Sequence, residues 1–487
     1  MIHLIDKKIW FYAIMFASFS LSISLSIIPY YYQTIEAQKI DTTKQEEEGK
    51  EKGQEVEENK CITYNNSENL ISISCKNISF ADISRSSSNS QLQDSSIMIQ
   101  QEKQPSSPST IKNNNEEKIW LLYAGIEVEK DASLDINSND VRWLKIVPSK
   151  NTPNAITVDG SLKVDSVKIT SWNPETNDYV KFAKEAKYSD NSNDALYTKV
   201  LRPYIKVNSG ATGPTIIQNS ELAYLGYSCS GCGGVTFNGG ENSILKNNDI
   251  HHIYKGFYSK GMGYMLIEGN RVYENDIYGI DPHTGTHDMI IKDNIVYNNG
   301  HIGIICSLDC YNIIIEDNEV YNHPSTGIMF SRNMYNSIAR NNYVHDEIKC
   351  IFVSDSHNNE IYNNTLSNCD TGILVHNLAK ENKIYNNEII KPGKGINVKT
   401  DASNNQFYSN NIVDAAEIPI STEKDDKINN NNIFEKNSIV KGAAFVDVNS
   451  TSNILYNNKL QDSFEGKISK ENTFNNNTTK KEQVLIP

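Results

Sequence analysis

The residues best equipped for chemistry lie in one hexapeptide, Tyr278-Gly279-Ile280-Asp281-Pro282-His283. Histidine titrates near neutral pH and can take up a proton as a general base. On an extended strand side chains alternate, so if Ile280 and Pro282 face a core, Asp281 and His283 are expected to face outward and share one surface. There Asp281 could set the tautomer of His283, or donate to a carboxylate when protonated. Tyr278 could return or relay a proton from the other side if a nearby cation eases its ionisation. A proton removed alpha to a carboxylate leaves charge on that carboxylate, which calls for cations or hydrogen-bond donors beside it. Lys255, Lys260, Ser307 and Arg332 are the candidates for that binding role, and His283, Asp281 and Tyr278 for the catalytic one.

Those positions can meet only if the chain repeats, and it does. A glycine or small residue followed by alternating apolar positions recurs at Gly234, Gly256, Gly279, Gly303, Gly327, Cys350, Gly372 and Gly395, in steps of 22 to 24 residues. A second comb of asparagines before a strand, at Asn248, Asn270, Asn294, Asn318, Asn342, Asn364, Asn387 and Asn411, keeps the same step. A repeat of this length is either leucine-rich or a parallel β-helix; the leucines and any helical period are missing. Asparagine tolerates left-handed corners, and its amide can bond to the asparagine one coil above. The expected class is all-β, a right-handed parallel β-helix of 22–24-residue coils, its hand following the rule for parallel crossovers. Stacking such coils puts Lys260 and Ser307 beside His283 and Lys255 beside Tyr278, with Ser331-Arg332 one coil further. Ile156–Trp172 and Arg202–Leu225 also alternate, so the helix is expected to begin upstream of the combs, with Asn173–Tyr197 an insertion.

The hexapeptide inside such a repeat resembles the signature of the mannuronan C-5-epimerases, Tyr-Gly-Phe-Asp-Pro-His followed by an acidic residue. The next coils, Gly303-Ile-Ile-Cys-Ser and Gly327-Ile-Met-Phe-Ser-Arg332-Asn, are similar to the periplasmic branch of that family. The resemblance covers about Leu222–Val375, with weaker echoes at Ile169-Thr-Ser-Trp172 and Arg202-Pro203. It implies a catalytic-motif role for Tyr278, Asp281 and His283 and an acidic polysaccharide as partner. Two positions depart from the family pattern: Thr284 replaces the closing acidic residue, and Leu308 stands where the periplasmic branch carries arginine. A β-eliminating polysaccharide lyase shares the first chemical step, and a non-enzymatic carbohydrate-binding surface protein is the other alternative. A hydrolase needs two carboxylates across the scissile bond, and Asp281 has no evident partner. No cofactor or metal is called for; calcium is left open.

The remaining chain supports export. Net charge is −14, against a nucleic-acid partner, and a mean hydropathy of −0.51 is low for a compact globule. Lys7 and Lys8 precede an uncharged run, Ile9–Tyr32, so residues 1–37 read as a signal peptide or a single membrane anchor, the only contact expected with a membrane. Residues 38–118, rich in glutamate, serine and proline, lack the apolar content to fold and read as a disordered stalk. Within them a small island, Cys61 to Phe80, could be tied by Cys61–Cys75. Residues 119–475 are assigned to the β-helix and 476–487 to a polar tail. Outside the cell disulfides persist, and Cys61/Cys75, Cys229/Cys232, Cys306/Cys310 and Cys350/Cys369 are near-neighbour pairs, though isolated buried thiols remain open for Cys306 and Cys350. The Cys229-x-x-Cys232 pair has no second pair beside it, so it does not read as zinc. His287, His301, His323 and His357 read as exposed decoration. The protein is expected to be a secreted or surface-anchored monomer.

Overall fold

The structure is a computed structural model. It describes residues 61–88, 99–102, 118–149, 152–181, 201–423, 430–442, 447–448, 452–460, 467–468, 473–475 and 477–479. The signal or anchor segment, residues 38–60, 89–98 and 103–117 of the expected stalk, and most of the 173–197 insertion lie outside them. Among the described residues no helix is long and apolar enough to cross a membrane.

The described chain winds as a parallel β-helix, the expected class, with three sheets of 16, 15 and 16 strands running its length. Each strand pairs with its counterpart one coil away, so residues of successive coils stand in columns. Ile280 of the first sheet pairs with Phe257 on one side and Ile304 on the other. The inward side chains of the columns, Phe257, Ile280, Ile304, Ile328, Ile351, Ile373 and Ile396, are fully buried in one continuous core. No coil could bury them alone.

Both combs have a physical cause. A Cβ on Gly279 would lie 2.6 Å from the carbonyl oxygen of Gly303 in the next coil, so this corner admits almost nothing larger than glycine. In the paired asparagines the two residues do different work. The first sits in the left-handed region (Asn341 at φ 55°, Asn363 at 55°, Asn386 at 54°) and makes the turn. Gly269, Asp293 and Asp317 take that place in other coils, all residues that tolerate it. The second turns inward and forms the ladder: Asn342 Nδ2 donates to Asn364 Oδ1 and Ile315 O, both at 2.9 Å, while its Oδ1 accepts from Asn318. The ladder runs from Asn248 to Asn477. Its member after Asn387 is Asn410, not the expected Asn411, which opens the following strand. A second ladder links Asn359, Asn382, Asn405 and Asn432.

Three expectations need correction. The stalk is not disordered throughout: Leu70–Ile73 pairs parallel with Gly125–Val128 and forms part of the solenoid. The Cys61–Cys75 disulfide ties this coil, and Ile73, Phe80 and Ile83 bury enough apolar surface to hold it. Helix Phe80–Ser88, started by reciprocal bonds between Ser79 and Asp82, covers the end of the core. Antiparallel edge strands, Ile62–Asn65 and Ile99–Gln101, close the first and third sheets there. At the other end the strands continue past 475 to Thr478–Thr479. His323 is not exposed: it is buried, with Nδ1 2.6 Å from Glu347 Oε1 and Nε2 3.1 Å from the Asn299 amide. It takes the place of an asparagine in a third ladder that begins at Asn275, and burial pushes both His323 and Glu347 toward their neutral forms. Cys229–Cys232 and Cys350–Cys369 are disulfides, while Cys306 and Cys310 are free and buried.

The paired asparagines should respond differently to mutation. Asn342→Ala strands several buried polar groups and should lower unfolding stability by about 3 kcal/mol, at about 1–3 kcal/mol per orphaned group. Asn341→Ala should cost about 1 kcal/mol of left-handed strain, and Asn341→Gly should recover it where Asn342→Gly does not. Urea denaturation of the four variants checks this.

Candidate functional site

The site lies on the outer face of the first sheet, where strands Lys255–Lys260, Tyr278–His283, Ile302–Ser307 and Thr326–Ser331 stack. Register sets Tyr258 against Asp281, Lys260 against His283, His283 against Ser307, and Ser307 against Ser331. All seven residues singled out from the sequence therefore gather on one face. Alternation places Tyr258, Lys260, Asp281 and His283 outward because Phe257 and Ile280 are core, while Lys255 and Tyr278, beyond the corner glycines Gly256 and Gly279, meet this face through the Lys255 ammonium.

Asp281 departs from expectation in one respect. It points outward yet its side chain is wholly buried. Tyr258, in register with it on the neighbouring coil, is a large ring, and the sequence reading had not singled it out. The Lys255 ammonium also lies over this floor: its Nζ is 3.2 Å from Asp281 Oδ2, 4.3 Å from the Tyr258 ring centroid and 5.4 Å from that of Tyr278. Burial pushes the Asp281 carboxyl up to about 6, against the pull of Lys255 and Arg332. Its second oxygen, Oδ1, is buried without a hydrogen-bond partner.

His283 is half-buried, and Asp281 does not set its tautomer. Nδ1 lies 2.5 Å from Thr284 Oγ1 and Nε2 lies 3.0 Å from Arg332 Nη2. A guanidinium can only donate, so Nε2 accepts and the ring proton sits on Nδ1, donated to Thr284. Thr284, at the position of the expected acidic residue, thus orients the ring. Its φ of 40° and that of Gly285, 71°, turn the chain here, and Thr286 Oγ1 ties the turn by donating to the His283 carbonyl at 2.8 Å. Burial, and then Arg332, Lys255 and Lys260, push His283 down to about 4, leaving it neutral with a lone pair at neutral pH. Arg332 reaches back across one strand, its Nε donating to Ser307 Oγ at 2.8 Å. The cation absent at Leu308 is supplied from the next coil.

Tyr258 packs 5.6 Å, centroid to centroid, from His283. Burial first and Asp281 second raise its hydroxyl above the ordinary tyrosine range. Tyr278 has His301 as a ring neighbour at 5.8 Å, and His301 is half-buried rather than exposed. No sequence signal short of the register itself marks Tyr258 or His301. Among the described residues no group of three or more His, Cys, Asp or Glu side chains is placed to hold a metal ion.

Comparison with known proteins adds relatives. A family model described as periplasmic copper-binding protein (NosD) matches residues 230–414. The mannuronan C5-epimerase of Pseudomonas fluorescens is 26% identical over 183 residues, 35% of this chain and 31% of that one. The mannuronan C5-epimerase of Pseudomonas aeruginosa is 26% identical over 192 residues, 37% of this chain and 32% of that one. The matched part is thus about a third of the length of these curated relatives. Among solved structures, the periplasmic alginate epimerase AlgG superposes with a TM-score of 0.56 at 18% identity, covering 80% of this chain and 85% of that one, a likeness of fold. The chain is therefore similar to mannuronan C5-epimerases, with its unusual coil inside the matched solenoid.

Asp281 yields a stability prediction. Its folded pKa lies above the unfolded value, so its contribution to stability is present below about pH 4 and lost as pH rises through about 6. The loss is of order 2–3 kcal/mol, at about 1.4 kcal/mol per unit. Asp281→Asn should melt higher than the native protein at pH 8, and the gain should vanish at pH 4. A melting difference independent of pH would show that Asp281 stays ionised in its buried site.

Proposed function

We propose that this protein is a C5-epimerase of a uronic acid polysaccharide, acting outside the cytoplasm. The observation that carries the reading is a neutral His283 whose Nε2 lone pair faces Arg332, within a cluster of cations, on a protein of net charge −14. A polyanion is drawn to such a local concentration of positive charge. The similarity to mannuronan C5-epimerases supports the substrate class. Three disulfides, the N-terminal sequence, and the periplasmic setting named for the matching family model and the similar structure support the compartment.

In the reaction, the uronate carboxylate draws Arg332 away from His283 and pairs with it and with Lys255. Nε2 of His283, now free, takes the C5 proton. The electron pair left on C5 spreads into the carboxylate, where Arg332, Lys255 and the Ser307 hydroxyl stabilise it. Tyr278, five residues along the same strand from His283, returns a proton to the opposite face of C5, and both groups then exchange with solvent. Lys260, exposed beside His283, adds to the attracting field. Asp281 cannot reach the substrate from its buried position; it holds Lys255, and is a positioning residue. The bond to the 4-oxygen stays intact, and this separates epimerisation from β-elimination.

Proton NMR of a mannuronate-rich uronan in D2O tests the reading. The native protein should exchange the C5 hydrogen without chain breakage, and His283→Ala should slow exchange about 10²–10⁴-fold. Tyr278→Phe should also slow it, whereas Tyr258→Leu, which removes the ring beneath Lys255, should act mainly through Lys255 and raise KM. His357→Ala, an outward ring stacked on Tyr335, should be silent. Unsaturated-uronate absorbance would identify a lyase instead. Full exchange by His283→Ala would remove the assignment of the base.

A further inference from the structure

The outer face of the first sheet does not end at His283. Its middle column continues from Ile305 through Met329, Phe352 and Leu374, each paired with the next. That makes a run of apolar side chains on the outside of the sheet, where many outward positions elsewhere are polar. The column on one side continues from Tyr278 through Ile302 and Thr326 to Lys349, then through Thr371 to Lys394. The column on the other side runs Ser307, Ser331, Ser354, His376. An apolar floor therefore lies between one rim that is polar from Thr326 onward and another of serines and His376, collinear with the catalytic groups.

Lys349 is the unusual member. It is half-buried, its Nζ lies 5.8 Å from the Phe352 ring, and among the described residues no ion pair joins it to a carboxylate. Burial holds its ammonium below the ordinary lysine range, and the field of Asp370 only partly offsets this. A partly desolvated cation beside an aromatic ring is arranged for an anion whose remaining surface is apolar. A pyranose uronate has that character, with a carboxylate on its edge and C–H groups on its faces. The Phe352 ring, 6.1 Å from the His376 ring, gives the C–H face something to pack on.

We propose that Lys349 and Phe352 form a remote subsite that binds a uronate residue of the same polymer chain, some three residues from the one epimerised. The idea rests on the epimerase reading for the identity of the polymer. The spacing follows from register: Lys349 stands three coils from Tyr278, about 14 Å at the ~4.8 Å strand spacing. One coil is thus close to the advance of one pyranose residue in an extended chain. A uronan lying along the sheet keeps in step with the coils, its carboxylates passing from the cluster of Lys255, Lys260 and Arg332 to Lys349. The subsite makes affinity depend on chain length while leaving the chemical step untouched.

Size-defined oligouronates test this. Lys349→Ala and Phe352→Ala should each raise KM for octamers about tenfold, leave kcat unchanged, and leave the kinetics of trimers, too short to span the distance, as in the native protein. Lys383→Ala removes the same charge from the second sheet and should change neither. If Lys349→Ala matches the native protein on octamers while His283→Ala is inactive, the subsite is refuted and the epimerase reading stands. If the native protein exchanges no C5 proton on any uronan, the epimerase reading falls, and calorimetric binding decides the subsite separately. Tighter binding of octamers than trimers that is lost in Lys349→Ala supports it; no uronan binding refutes it.

Discussion

A buried carboxamide in a solenoid has to find its partners in the coils on either side, and this requirement governs the rest of the molecule. Each ladder asparagine offers two donors and an acceptor where no water reaches, so a coil out of phase would strand several polar groups at once. The core side chains alone would tolerate some slippage, since one isoleucine packs on another much as on its neighbour. Directional bonds remove that freedom. They keep successive strands of the first sheet in step closely enough that residues twenty or more apart in sequence meet as cross-strand pairs.

The chemistry depends on that order. No single coil holds the site: Lys255, Lys260 and Tyr258 come from one, Tyr278, Asp281 and His283 from the next, Ser307 from a third, Arg332 from a fourth. Each residue is fixed by a strand whose inward neighbours belong to the core, so outward groups are held without a dedicated pocket wall. The arrangement also departs locally from the rules that stabilise the solenoid. Asp281 occupies a buried position at a pKa of about 6 with one oxygen unpartnered. In the same column Ile305, Met329 and Phe352 would satisfy the sheet without that penalty. A local cost of this kind is expected where geometry is held for a purpose other than stability.

Charge follows the same division between average and local. The chain as a whole is acidic, which repels a polyanion at long range, yet Lys255, Lys260, Arg332 and Lys349 lie on a single sheet face. Counterions shorten the reach of the diffuse negative charge, while partly desolvated cations in a groove keep theirs. The ends of the solenoid are managed as strictly as its middle: helix Phe80–Ser88 and two antiparallel edge strands close the N-terminal opening, where unpaired strands would otherwise recruit other chains.

The sequence by itself determined the coil period, the class of fold and the face that carries the motif. Glycine at a crowded corner and asparagine at a left-handed turn admit few substitutes, and alternation on a strand is a local rule. It also brought the seven candidate residues together, because coils of nearly equal length, each marked by its glycine, make stacking a matter of counting. Tertiary structure alone decided what each side chain touches. Asp281 is outward by alternation yet wholly buried, with the Lys255 ammonium 3.2 Å away. His283 takes its partners from Thr284 and from Arg332 two strands away, not from Asp281. His323 looked like a surface turn residue and is a buried ladder member, because Asn299 and Glu347 stand one coil to either side. The stretch at residues 61–88 stood out only as an island tied by Cys61–Cys75; its place in the solenoid did not show, since its apolar residues are few and their burial depends on a coil more than fifty residues further along the chain. Local patterns report backbone geometry; long side chains choose partners across coils, where sequence distance carries no signal.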